Sequence, residues 1–341
     1  MMNYKSILKQ PEYDFLKTNK HLGSNIILLG LGGSHSYGTN IESSDLDIRG
    51  ITLNSKKDIL CKNSFKQFED KQTDTVIYSF NKIISLLTAC NPNVIELLGL
   101  KPEHYLYLSL AGKELLANKS MFLSQRAINS FGGYANQQLS RLENALARDR
   151  YTQSQKEEHI FRSCQNAMLD INTRYKNFDN GHIELYIDES EQQDLDTEIF
   201  INVSLEKYPV RDYVNILSEL KEIIKTYNKI NHRNRKKDDE HLNKHAMHLI
   251  RLYYMLFDIL EKGEINTYRE EEHDLLMHIR NGNYQKEDGT YDYTFFRMID
   301  RLKQRLEYDK NNTSLPKEPD YKRIEDFVYS VNEKIIKGEI Q

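Results

Sequence analysis

The sequence predicts an α+β protein, with a domain of mixed strands and helices over residues 1–112 and a mainly helical domain over 113–341 that carries a small β insertion near 180–205. Three observations carry this reading. A continuous apolar run bounded by glycines lies close to the N-terminus, strand-like and helix-like spacings mix over the first hundred or so residues, and helical spacing dominates after Ala111. In order, NIILLGL at 25–31 reads as a strand buried on both faces. DLDIRGITL alternates acid and aliphatic residues, which predicts a second strand from Asp45 to Leu53. TDTVIYSF is β-branched and makes a third strand that leads into NKIISLLTAC, where Ile83, Ile84 and Leu87 fall at helical spacing. Asn91-Pro92-Asn93 ends that helix, and VIELLGL opens another element. Further on, MFLSQRAINSFGGYANQQLSRLENALA and HLNKHAMHLIRLYYMLFDILEKG are helical. Between them HIELYIDES and EIFINVSL are short strands of a hairpin or small sheet, followed by a helix from Val210 to Ile230. NKINHRNRKKDDE is an exposed linker or the start of a helix, and DKNNTSLPKEPDYKR is a loop before a last amphipathic helix.

Composition excludes several classes. With 341 residues and 39% hydrophobic content the chain can bury a sizeable core, so disorder is not expected. The 47 Lys+Arg against 51 Asp+Glu leave a net charge of −4, so any nucleic-acid contact must come from a local patch. No apolar run approaches a bilayer span, and MMNYKSILKQ lacks the apolar core of a signal peptide. A soluble, cytoplasmic protein with no membrane partner is the expectation. Cys61, Cys90 and Cys164 are too scattered for a disulfide framework or a cysteine-rich zinc site.

The chemistry is concentrated in GGSHSYGTNIESSDLDIRG, from Gly32. On a strand, Asp45 and Asp47 share a face with Cα atoms about 6.6 Å apart, while Leu46 and Ile48 face the core. Two adjacent carboxylates repel unless a cation compensates, and Mg²⁺ is commonly held by one or two carboxylates plus substrate phosphates. Gly32 and Gly33 let the backbone approach a bulky anion, a short helix starting near Ser34 aims N–H groups at a phosphate, and the Ser34 hydroxyl adds a donor. Ser44 directly precedes the acids. In-line transfer with two metal ions, Mg²⁺ or Mn²⁺, roughly 3.5–4 Å apart needs a third carboxylate. Asp74, on a face with Val76 and Tyr78, is the choice if its strand neighbours the pair; Glu69 and Asp70 are rivals. No P-loop is present, and a G-x-G-x-x-G reading from Gly30 meets His35 where the last glycine belongs.

The combination Gly33, Ser34, Gly38, Ser44, Asp45 and Asp47 resembles the DNA polymerase β-like nucleotidyltransferase superfamily and, within it, the RNA-repair-pathway DNA polymerase β family. Further markers follow in order: IYSFNK with Lys82, NPNVIELL with Glu96, GYANQQLSRL with Tyr134 and Arg141, KHAMHLIRL with Lys244 and His248, and LLMHIRNG with Arg280. They span residues 26 to 285. The resemblance implies an α/β catalytic domain with a mixed sheet, a helical second domain, and transfer of a nucleotidyl group from an NTP by two Mg²⁺. RNA ends, tRNA included, are the acceptor class it implies; nucleotidylation of a protein or small molecule, or a catalytically silent nucleotide- or RNA-binding module, are the alternatives.

Several residues carry two readings. On the 244–260 helix, Ala246, Leu249, Ile250, Tyr253, Leu256, Phe257 and Leu260 share one side, with Lys244, His248 and Arg251 opposite. That polar face is either solvated or, at a cleft, a clamp on the triphosphate, and the resemblance favours the clamp. His241, His245 and His248 have zinc-compatible spacing but no fourth ligand nearby. Tyr134, Gln138 and Arg141 share a helix face that either contacts nucleotide or packs between domains. Asn91 fits a turn and Glu96 a brace, or both support the metal site. Arg280 suits a helix C-terminus or a phosphate. HRNRKK at 232–237 is the one dense basic run, a solvated segment or an RNA contact.

Overall fold

A computed structural model describes residues 4–61, 65–174, 181–192, 195–230 and 239–340. The chain forms two compact units. One comprises Met1–Gln138, Ala246–Tyr284 and Tyr293–Gln341; the other comprises Leu139–His245 and Gln285–Asp292. The first unit thus contains, besides the sheet, helical segments from the C-terminal half of the chain.

The sheet of the first unit has five strands: β1 (Ile26–Leu31), β2 (Ile48–Thr52), β3 (Gln67–Asp70), β4 (Thr75–Ser79) and β5 (Tyr105–Leu108), in the order β3-β4-β2-β1-β5. It is mixed, because β2 and β4 run parallel while the other neighbours are antiparallel. β1 is buried along its whole length, as its unbroken apolar run requires. Leu29, Leu31, Ile48, Ile77 and Leu106 form a core with Tyr13, Leu16, Leu22 and Ile26, and Leu46 packs against it. Each such aliphatic side chain contributes about 1.5–3 kcal/mol on burial. After β4, Ser79 caps the Phe80–Thr88 helix by accepting from the Lys82 N–H, and Phe80, Ile83, Ile84 and Leu87 form its buried stripe.

The predicted second strand is shorter than its alternation implies. It begins at Ile48, so Asp45 and Asp47 precede it. The reason is the preceding loop, whose turn at Ile41–Ser44 holds the chain off the ladder until Asp47 accepts a hydrogen bond from Gly32 N–H at 2.8 Å. β3 and β5 have four residues each and were not expected; β3 contributes a single apolar side chain, Phe68, and pairs across a tight turn at the sheet edge.

Within Ala246–Phe257 the predicted apolar side is buried, but so are Met247, Arg251, Leu252 and Met255. The helix is enclosed nearly all round, and the polar face does not extend to Arg251. The Tyr321–Lys337 helix is the expected last element, capped by Asp320 and ended by Gly338 at φ 77.

In the second unit β6 (Gly181–Glu189) and β7 (Thr197–Leu205) form an antiparallel hairpin. Ile183 and Leu185 pack with Cys164 and Met168 of the Gln153–Arg174 helix and with Ile216 and Leu220 of the Val210–Ile230 helix. Among the described residues no helix is long and apolar enough to cross a membrane.

Candidate functional site

The sheet topology brings Asp47 and Asp74 together at one end of its central strands. β1 is antiparallel to β2 with Leu31 opposite Ile48, and β2 is parallel to β4 with Ile48 opposite Thr75. The end of β1 and the starts of β2 and β4 therefore coincide, so Gly32, Asp47 and Asp74 lie side by side. Backbone bonds fix the alignment: Gly32 N–H donates to the Asp47 carbonyl at 2.8 Å, and Ile48 N–H to the Asp74 carbonyl at 3.2 Å. Asp74 takes a left-handed φ of 43°, a conformation that Asp tolerates better than most residues.

Between the two carboxylates lies Arg49. Its Nη2 is 3.1 Å from Asp47 Oδ1 and 3.4 Å from Asp74 Oδ1, while Nη1 donates to the main-chain carbonyls of Asp74 at 2.6 Å and Ile48 at 3.1 Å. The Asp47 side chain is 19% exposed and that of Asp74 57%. Asp45 is exposed, at the end of the loop. Among the described residues no three Asp, Glu, His or Cys side chains are grouped so as to hold a metal ion. Of the rival acids, Asp70 is engaged by the Thr73 N–H at 2.9 Å and hydroxyl at 2.8 Å, and Glu69 stands on edge strand β3 beside Gln67.

The glycines have a concrete reason to be glycine. Gly33 has φ 55, and a Cβ there would lie 1.8 Å from Asp47 Oδ2. At Gly32 a Cβ would press on Arg49 Cγ at 3.0 Å and Asp47 Cβ at 3.2 Å. The anion these glycines approach in the structure is the Asp47 carboxylate. Ser34, in the short Gly33–Tyr37 helix, is buried, and its carbonyl accepts the Gly38 and Thr39 N–H groups.

The loop that delivers the acids is fastened from several sides. Ser44 Oγ accepts the Ile41 N–H at 2.9 Å, and Ser44 N–H donates to the Ile41 carbonyl at 2.9 Å. Arg280, buried at the end of the His273–Arg280 helix, donates to the Thr39 carbonyl at 2.7 Å and to Ser44 Oγ at 3.3 Å. His35 Nε2 lies 3.4 Å from the Ser44 carbonyl. Ser44 and Arg280 therefore position the loop.

Behind the Gly33–Tyr37 helix is a buried ionic cluster. Tyr37 donates its hydroxyl to Glu96 at 3.0 Å. Arg251 Nη1 reaches Glu96 Oε2 at 3.4 Å, and its guanidinium stacks 3.5 Å from the Tyr37 ring centroid. His248 meets the same ring edge-on at 5.8 Å, and Thr267 donates to the Glu96 carbonyl at 2.6 Å. Burial pushes the Glu96 carboxyl up, against the opposing pull of Arg251 and Tyr37; burial likewise pushes the Tyr37 phenol up. Removing one partner of such a pair costs about 3–5 kcal/mol. Glu96 is thus the brace that the sequence allowed it to be, and Arg251 and His248 join it.

The other candidates have surroundings of their own. Lys82 bonds Gln67 and sits 5.5 Å from the Tyr78 ring. Tyr134 is half-buried and Arg141 exposed on the Arg126–Arg150 helix, Gln138 is buried, and Lys244 is exposed. The basic run at 232–237 lies outside the described residues. Sequence reasoning missed Arg49, His35 and Tyr37. Arg49 was findable, since it continues the two-residue alternation of Asp45 and Asp47.

Residues 9–168 match the sequence model of the RNA repair pathway DNA polymerase beta family, RlaP. The matched stretch contains all five strands of the sheet, the glycine turn, the acids at its edge, Glu96, Tyr134 and Arg141. Comparison with curated proteins gives no match, and comparison with solved structures gives none. Over residues 9–168, the chain is similar to the RNA repair pathway DNA polymerase beta family.

Proposed function

We propose that the protein is a Mg²⁺-dependent nucleotidyltransferase that moves NMP from an NTP to an acceptor hydroxyl, with an RNA end, tRNA included, as the acceptor. The observation that carries this reading is the placement of Asp47 and Asp74 on adjacent strand starts, beside a glycine turn. Their chemistry suits the ion: both offer carboxylate oxygens to a single cationic group, here the Arg49 guanidinium, and hard oxygen donors are what Mg²⁺ takes. Asp45, Asp47 and Asp74 would hold it, and Mn²⁺ could replace it. When bound, paired Mg²⁺ ions neutralise phosphate charge and lower the pKa of the attacking hydroxyl.

The protein's own groups do the rest. Gly33 and Ser34 start a short helix whose N–H groups orient the phosphates. Glu96, Tyr37 and Arg251 hold that helix from behind, which keeps the turn fixed against Asp47. Arg280 and Ser44 fasten the loop that leads to Asp45 and Asp47. Lys82, Lys244, Tyr134, Arg141 and His248 are further candidates for holding the nucleotide. The reaction is expected in the cytoplasm.

The test is incubation with α-labelled NTP and Mg²⁺, separately with RNA, with protein and with small metabolites. Label on RNA 3′ ends, lost in Asp47→Asn, is expected. Label on protein or metabolite and never on RNA would overturn the acceptor; no transfer in any arm would overturn the activity and leave a silent binding module.

A further inference from the structure

Arg49 occupies the place where the proposed function needs a metal ion. Its Nη2 meets one oxygen from each of Asp47 and Asp74, at 3.1 and 3.4 Å. The fit is built in: Nη1 is anchored on two main-chain carbonyls, and the Arg49 stem lies against Gly32, where a Cβ would be 3.0 Å from Cγ. A guanidinium and a divalent ion satisfy the same need, since two neighbouring carboxylates repel unless a cation lies between them. They cannot occupy the same oxygens together.

We propose that Arg49 is a resident counter-cation, which holds Asp47 and Asp74 in place until a divalent ion displaces its guanidinium. The inference rests on the metal-binding reading of these two acids and adds a consequence to it. A bare ion must compete with Arg49, whereas an ion arriving with an NTP brings phosphate oxygens that offer the released guanidinium a new partner of matching geometry. Metal loading is thereby coupled to nucleotide arrival. The structure also provides a second anion in the neighbourhood: the buried Glu96, pushed up by burial and held down by Arg251 and Tyr37, feels the Arg49 charge as well.

The experiment is a Mn²⁺ titration of the full chain without nucleotide, read by the EPR signal of free Mn²⁺, on the wild type, Arg49→Gln, Arg49→Lys and Asp47→Asn. Two partly exposed ion pairs are surrendered when the ion enters the wild type, so Arg49→Gln should bind Mn²⁺ roughly 5- to 30-fold more tightly. Arg49→Lys keeps the charge but loses the planar fork, and should fall between them. A merely structural Arg49 would give the opposite sign, because loosening the acids weakens their grip on an ion. Arg49→Gln binding Mn²⁺ no more tightly than the wild type, while Asp47→Asn abolishes binding, overturns this proposal alone. Mn²⁺ uptake in none of the four proteins, or uptake untouched in Asp47→Asn, overturns the metal reading and this proposal with it. Should Arg49→Gln fail to fold, Arg49→Lys carries the test: tighter binding than the wild type supports the proposal, and equal or weaker binding overturns it.

Discussion

Gly33→Ala puts the geometry of the acidic edge under direct strain. The added Cβ would sit 1.8 Å from Asp47 Oδ2, and real Cβ contacts stop near 3.0 Å, so the carboxylate must retreat by more than an ångström. The flexible end of the side chain can make that move, but only by leaving Arg49 and the edge it shares with Asp74. The backbone adds its own cost, because φ 55 is left-handed and charges a non-glycine residue about 1–2 kcal/mol. A misplacement of this size at a reacting centre costs on the order of 100-fold in rate. The expected outcome is a folded protein, destabilised by about 1–2 kcal/mol in urea, with nucleotidyl transfer reduced about 100-fold. Gly133→Ala is the control: nothing lies within 4 Å of its Cβ position in the Arg126–Arg150 helix, so it should gain about 0.5–1 kcal/mol of stability. Transfer by Gly33→Ala within threefold of the wild type would refute the claim that Asp47 must sit where the turn places it.

Three further outcomes follow from contacts within the first unit. Arg280→Met removes the bonds to Thr39 and Ser44, so hydrogen exchange of residues 39–47 should speed up and transfer should fall about 10-fold or more. Tyr37→Phe strips a hydroxyl from buried Glu96 and should cost about 1.5–3 kcal/mol in chemical denaturation. Asp258→Asn tests the buried pair with Arg269. Burial pushes the Asp258 carboxyl up, but Lys262 and Arg269 hold it below the ordinary 3.8. A depressed carboxylate contributes stability that is present above pH 3.8 and lost as pH falls through the lower folded value. Asp258→Asn should therefore cost about 3 kcal/mol near neutrality, with the gap to the wild type closing below pH 3.8.

Much of the fold was legible because the signals were local. The unbroken run of β1, the Ile83, Ile84 and Leu87 spacing, the hairpin and the Val210–Ile230 helix each declare themselves within a few residues. β3 and β5 did not, since four-residue strands carry too little pattern and owe their existence to their neighbours. At the site, the edge position of Asp74 beside Asp47 followed from supposing adjacent strands, and the parallel pairing of β2 with β4 supplies that adjacency. The environment of Arg251 was illegible, because its partner Glu96 lies 155 positions away in sequence and only the fold makes a charged residue interior. The glycines were read as granting close approach to a bulky phosphate; in the structure a Cβ at Gly33 would meet the Asp47 carboxylate.

The central claim is that the acids at this edge exist to hold divalent ions for a nucleoside triphosphate. Calorimetric titration of the wild type and Asp47→Asn with a non-hydrolysable NTP, with and without Mg²⁺, tests it most directly. The account predicts uptake by the wild type that requires Mg²⁺ and disappears in Asp47→Asn. Uptake indifferent to Mg²⁺, or unchanged in the variant, would contradict it.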